Sequence, residues 1–367
     1  MADLQDASSL TTVDLDDLDE VDGLDGFEGT AAPPPTPSET ECADRTDPLV
    51  RARELLRNHP VTDCYSGLGP VLRTMHWYDL EAGESLLETD LPRLRRGGVG
   101  AQFWTLFPPS APTAAGALAT TLELVDLVRA TVADYPEGMR LALGADELVD
   151  AHNRGRIAAL LGPAPGTALG NSLAVLRGLY ALGVRSITLA GTRWTEGGLT
   201  PFGHEMVREM NRLGILVDLS GCSPDTMRRT LTITKAPVIF SHHPSPLPDD
   251  VLRALRGGKG VYMVLCTAGT LAATADLVDH VREVAGPESV ALSGAYDTGA
   301  PHAAGLGDVS FLPHLIAELL DRGWPEPDVT ALTWSNVMRV LRDTEFASRA
   351  AQSRRGPSQV AIGALDL

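Results

Sequence analysis

Lysine is almost missing from this chain of 367 residues: it occurs only at Lys235 and Lys259, against 28 arginines and 48 acidic residues, for a formal net charge of −18. That excess sets aside nucleic acid and anionic membrane as main partners. Cysteine is scarce as well, and the four present, Cys42, Cys64, Cys222 and Cys266, are too scattered for a disulfide framework. They suit a reducing compartment. No stretch approaches the ~18 uninterrupted apolar residues of a membrane span. The first residues lack the basic start and apolar run of a secretory signal. The expectation is a soluble cytoplasmic protein. With 44% hydrophobic but only 5% aromatic residues, its interior is built on Leu, Val and Ala.

The charge is unevenly spread. Residues 1–44 hold 13 acidic residues and no Lys or Arg, which leaves −5 for the rest of the chain. Residues 1–46 therefore read as one unit, an acidic stretch followed by the proline-rich AAPPPTPSETE. Such a segment buries too little apolar surface to offset its ordering entropy and is expected to be disordered. Within 13–27, Leu15, Leu18, Val21, Leu24 and Phe27 recur every three residues among the acids. Two readings stand: a solubilising tail, or a docking motif that folds on a protein partner.

Residues 47–367 have a different rhythm. Eight apolar runs, 61–66, 98–107, 156–162, 185–191, 215–220, 237–242, 260–266 and 289–295, alternate with amphipathic segments. Several of these segments open on a Ser, Asn or Asp cap and close on Gly. Eight nearly continuous apolar strands, each followed by a helix, predict an α/β fold, a (β/α)8 TIM-type barrel. About 250 residues suffice for one, so the chain has room for the barrel and a tail. Active sites of such barrels lie at the C-terminal ends of the strands. Here those ends carry Cys64 and Tyr65, Trp104, Ala164 to Thr167, Gly191 to Arg193, Gly221 and Cys222, His242 and His243, Cys266, and Ala295 to Asp297. A two-metal hydrolase needs several His and carboxylates at these places. This set is poor in both.

The stretches DLPRLRRGGVGAQFWTLF (90–107), GNSLAVLRGLYALGVR (170–185), GLTPFGHEMVREMNRLGILVDLSGCSPDTM (198–227) and VALSGAYDTG (290–299) resemble the renal (membrane) dipeptidase family, zinc peptidases of the amidohydrolase-like barrel superfamily. The resemblance spans residues 48–346. It implies two zinc ions held by ligands that this chain replaces with Tyr65 and Gly67 after the first strand, Ala164 after the third, Gly221 after the fifth and Ala295 after the eighth. His242 alone keeps its expected ligand identity. The Arg that would grip the substrate carboxylate is replaced within His243-Pro244-Ser245-Pro246. The resemblance thus implies a divergent member, without zinc or dipeptide hydrolysis, kept as a binding or assembly module. It also implies a homodimer and a peptide-like or amino-acid-derived ligand.

The survivors at the strand ends define a candidate pocket of Cys64, Tyr65, Trp104, Cys222, His242, Cys266 and Asp297, with no catalytic residue assigned. The cysteines are either small buried hydrophobes or, with His242, a rebuilt thiol or metal site on a peptide-derived substrate. His242 is a packed relic or part of that site. Asp297 orders its loop or touches a ligand, and Trp104 is core or pocket wall. Residual metallo-dipeptidase activity is a third functional reading. His76, His204, His302 and His314 fall outside the strand ends and are expected on the surface or on helices.

Overall fold

The computed structural model describes residues 47–366 except 84–85, 108–112, 245 and 268. The 1–46 unit and its 13–27 motif lie outside the described residues. Eight strands form the barrel: β1 (Val61–Ser66), β2 (Val99–Trp104), β3 (Ile157–Leu161), β4 (Ser186–Thr188), β5 (Leu216–Asp218), β6 (Val238–Phe240), β7 (Gly260–Leu265) and β8 (Val290–Ser293). Each falls within one of the eight predicted runs. Pairing is parallel from β1 to β2 to β3 and from β4 through β8. The two arcs join where Leu161 bridges Val184 and where the Ala295 N–H donates to the Tyr65 carbonyl at 3.0 Å. A further short strand, Met139–Leu141, pairs with the lower half of β3, where the sequence predicts none.

Alternate residues of each strand enter different hydrophobic clusters, as a strand's two-residue period requires. Ala101, Phe103, Ala158, Leu160, Leu216, Ile239, Val261, Met263 and Ala291 fill the barrel. Val99, Ile157, Ile187, Val217, Phe240, Val264 and Leu292 face the surrounding helices. The helix Asn336–Gln352, which the sequence reading passes over, adds Val337, Met338, Val340 and Leu341 to the interior cluster. The Asn336 side chain donates to the Val290 carbonyl at 2.8 Å, at the start of β8. This helix therefore plugs the floor, the end opposite the strands' C-terminal ends.

Helix starts follow capping chemistry. Thr113, Ser172, Thr200, Ser223 and Thr270 each accept a hydrogen bond from a backbone N–H in the first turn. Gly214, at φ 87°, ends the helix Pro201–Leu213 in the left-handed conformation that glycine adopts without strain.

Candidate functional site

The mouth of the barrel is organised around Asp218, the last residue of β5. Leu216 points into the barrel, so two residues on Asp218 does too, and it is fully buried. Its Oδ2 accepts from Thr188 Oγ1 at 2.7 Å and Ser241 Oγ at 2.6 Å. Its Oδ1 accepts from the Ser220 N–H at 2.9 Å, Ser220 Oγ at 2.7 Å and the Ser241 N–H at 3.3 Å. Burial alone would raise this carboxyl. The His242 imidazole beside it and the Ser241 and Ser220 hydroxyls outweigh burial and hold it well below the ordinary carboxylate range.

His242 is fixed from several sides. Its Nδ1 lies 2.8 Å from Ser241 Oγ and 3.4 Å from Asp218 Oδ2, and its backbone N–H donates to Ser220 Oγ at 3.0 Å. Tyr65 stacks on the imidazole with ring centroids 4.4 Å apart and planes within 12°. Phe107 meets the imidazole edge-on at 5.1 Å. Burial and the Asp218 charge push the Tyr65 phenol up against a bond from Thr105, so it stays protonated and can donate. The result is one held imidazole, a phenol and an aromatic wall, backed by a buried carboxylate.

A second polar group lies where β1 meets β8. Asp63, buried in β1, accepts from Gln102 Nε2 at 2.8 Å and from the Gly294 N–H at 2.7 Å. Burial, only partly offset by those bonds, pushes its carboxyl up to about 6. Asp297 sits at φ 60°, accepts from the Glu88 N–H at 2.8 Å, and donates its own N–H to Glu88 Oε2 at 2.5 Å. Burial and the Glu88 charge push this carboxyl up to about 6 also, against bonds from the Glu88 backbone and Thr89 and the charge of Arg93. His302 is expected on the surface or on a helix, yet its side chain is 9% exposed, 2.8 Å from Glu88 Oε2 and tilted over Tyr296. That expectation is corrected. The loop after β8 folds back over the barrel rim and carries His302 inward, which strand and helix periodicity cannot register.

The remaining predicted residues do not gather at one point. Trp104 is fully buried in the cluster that faces the helices. Cys64 packs in the barrel interior, whereas Cys222 and Cys266 belong to the outer cluster. All three thiols are free and buried. Burial pushes Cys222 up to about 12 and Cys64 and Cys266 up as well, so none is the thiolate a metal or a nucleophilic site requires. Asp218, Thr188, Glu88 and His302 are site residues the strand-end survey passes over. For Asp218 a signal exists, since it shares the inward parity of Leu216.

The positions expected to hold metal ligands are taken up by the scaffold. Ala164 pairs with Ile187 beside β4, Gly221 adopts φ 72°, and Ala295 adopts φ 53° while its N–H closes the barrel. At Gly67 a Cβ would overlap the Asp297 carbonyl, and the Gly67 N–H donates to the Tyr296 carbonyl at 2.7 Å. Gly67→Ala is therefore expected to lower stability by ~1–3 kcal/mol, seen as an earlier thermal unfolding midpoint. An unchanged midpoint would mean that the β8 loop yields to a side chain there.

A parallel α/β barrel with its polar groups at the C-terminal strand ends has the layout of the barrel enzymes, a fold that serves many chemistries. Residues 49–355 match Membrane dipeptidase (Peptidase family M19), and the chain belongs to that family. It is 37% identical to Dipeptidase 3 of Mus musculus, over 82% of this chain and 68% of that protein. Dipeptidase 3 of Homo sapiens is 36% identical, over 80% and 67%. Among solved structures, the probable dipeptidase PvdM from Pseudomonas aeruginosa superposes with a TM-score of 0.70 at 17% identity, covering 82% of this chain and 99% of that one. A metallo peptidase from Rhodobacter sphaeroides, liganded with a phosphinate mimic of the dipeptide L-Ala-D-Ala, gives 0.68 at 22% identity, covering 78% and 99%.

These relatives correct two expectations. A chain without a metal cofactor does not stand as the expectation, because the family is one of metallopeptidases and indicates zinc. A cytoplasmic location does not stand either, because the family is that of the membrane dipeptidases. No helix among the described residues is long and apolar enough to cross a membrane. The side chains at the mouth are nevertheless a poor fit for a two-metal centre. Asp218 spends both its oxygens on Thr188, Ser220 and Ser241, and among the described residues no group of three or more His, Cys, Asp or Glu is arranged to hold an ion.

Proposed function

We propose that this dipeptidase-family barrel binds a peptide-derived ligand at its mouth without hydrolysing it. The observation that carries this reading is the Tyr65–His242 stack, 4.4 Å between centroids, which sets a held imidazole and an aromatic face at the strand ends. Hydrolysis there needs an activated water with a base in reach of it. Asp218 is held ionised by its neighbours, and it is enclosed by Thr188, Ser220 and Ser241 with no exposed surface. Binding asks for less. The His242 imidazole is positioned to pair with a carboxylate or amide of the ligand, the Tyr65 phenol adds a donor, and Phe107 with the Tyr65 ring supplies an apolar wall.

The test measures binding and turnover on the same zinc-supplied protein. Titration calorimetry with a dipeptide series and a phosphinate dipeptide mimic is expected to give binding that weakens about tenfold or more in His242→Ala and Tyr65→Ala, a loss of ~1.4 kcal/mol. The same dipeptides are expected to remain uncleaved. Zinc-dependent cleavage that disappears in His242→Ala would overturn the reading, as would binding indifferent to both substitutions.

A further inference from the structure

On the floor of the barrel, opposite the mouth, a cleft of about 770 Å³ opens between the helix Pro48–Asn58, the helix Leu91–Arg96 and the starts of β2 and β3. Arg53, Arg57, Arg95, Arg96 and Arg156 line it, with Phe311 at one side, and no Asp or Glu is among its lining residues. Many arginines elsewhere in the barrel are paired with carboxylates. Arg322 meets Asp276, Asp279 and Glu318, Arg212 meets Glu209, and Arg228 meets Asp250. In the cleft, Arg53, Arg57, Arg95 and Arg96 form no ion pair among the described residues. Arg156 reaches only the exposed Glu137, at 3.7 Å. Four arginines without a counter-charge and a fifth with only an exposed one repel one another, and a polyanion would relieve that repulsion. In a chain of net charge −18, such a concentration of unpaired positive charge calls for an occupant.

We propose that the occupant is the acidic segment 13–27 of the same chain. It holds seven acidic residues and no basic one, with Leu15, Leu18, Val21, Leu24 and Phe27 between them. Those apolar residues match Phe311, which is 39% exposed in the cleft. Asp47 caps the N-terminus of the helix Pro48–Asn58, whose later turns carry Arg53 and Arg57. The 19 residues 28–46 reach at most ~65 Å, several times the ~16 Å length of that 11-residue helix, and the tether keeps the segment at an effective concentration of order millimolar. A free partner would have to outcompete that.

The experiment uses the full chain with a benzophenone photo-crosslinking residue in place of Phe27, and maps the products by mass spectrometry. Intramolecular cross-links into 53–57, 95–100 and 310–314 are expected. Their yield should fall about tenfold in 1 M salt, where the Debye length is ~3 Å. It should fall likewise in the triple variant Arg53→Glu, Arg57→Glu, Arg96→Glu, and return when Asp16, Asp17, Asp19 and Glu20 are each changed to Lys in that variant. Neutralising Asp14, Asp16, Asp17 and Asp19 to Asn leaves the barrel sequence intact and should give the same loss, which separates docking from misfolding. Cross-links between two copies would overturn the intramolecular assignment. Cross-links scattered over the barrel, or insensitive to salt and charge, would overturn docking altogether.

Discussion

Asp218→Ala is expected to cost roughly 3–5 kcal/mol of stability at neutral pH, the range for breaking a buried, fully bonded charge network. The substitution leaves the Thr188, Ser220 and Ser241 hydroxyls without the acceptor that now sits 2.6–2.7 Å from each of them. It also frees the His242 ring from its backing carboxylate. Denaturant unfolding read by tryptophan fluorescence gives the difference, provided the slope of the transition is unchanged. The pH dependence identifies the source. Asp218 is depressed in the folded state, so its stabilisation is complete above the unfolded carboxyl value of ~3.9 and is lost as pH falls through the lower folded value. The gap between native protein and variant should therefore hold from pH 8 to about pH 5 and begin to close below about pH 4. A gap that widens on acidification would mean that the ionised carboxylate is not what the network stabilises.

The same residue shows how far the sequence carries. Strand period and helix caps are local properties of the chain, and the eight apolar runs place all eight barrel strands. Asp218 is partly legible in the same way, through its parity with Leu216. What the sequence does not disclose is how residues distant along the chain meet. Gly67 owes its identity to a carbonyl 230 residues on, at Asp297. His302 owes its burial to a loop that folds back onto Glu88. Cys64, Cys222 and Cys266 all end strands, yet strand-end position alone does not say which cluster a side chain joins. The missed helix Asn336–Gln352 follows a π-helical turn at Ala331–Ser335, where the ordinary period slips. The arginines of the floor cleft come from separate segments, and their lack of partners emerges only once those segments are packed together.

Asp63→Asn should shift stability in the opposite direction. In the folded protein burial pushes the Asp63 carboxyl up to about 6, even with bonds from Gln102, Gly294 and Tyr65 and the charge of His302 pulling it back. The unfolded value is ~3.9, so between those pH values the folded chain binds the extra proton, and stability falls as pH rises. Above about pH 6 the cost of holding the carboxylate approaches two pK units, ~3 kcal/mol at most. Asparagine keeps the shape and can still accept the Gly294 N–H that now lies 2.7 Å from Oδ1. Gln102 donates its Nε2 to Asp63, and its buried Oε1 has no partner among the described residues. Turning that amide would let Oε1 accept from the new Asn side chain and put Nε2 where Oε1 now lies, so the number of unpartnered polar atoms does not rise. The variant is expected to be more stable than the native protein by ~1–3 kcal/mol at pH 8, with the advantage vanishing near pH 4, where Asp63 is protonated when folded. Chemical unfolding at pH 4, 6 and 8 measures both points. An advantage independent of pH would place its origin outside the titration of Asp63, and a loss of stability at pH 8 would mean that the carboxylate is better compensated than its burial among Gln102, Gly294 and Tyr65 implies.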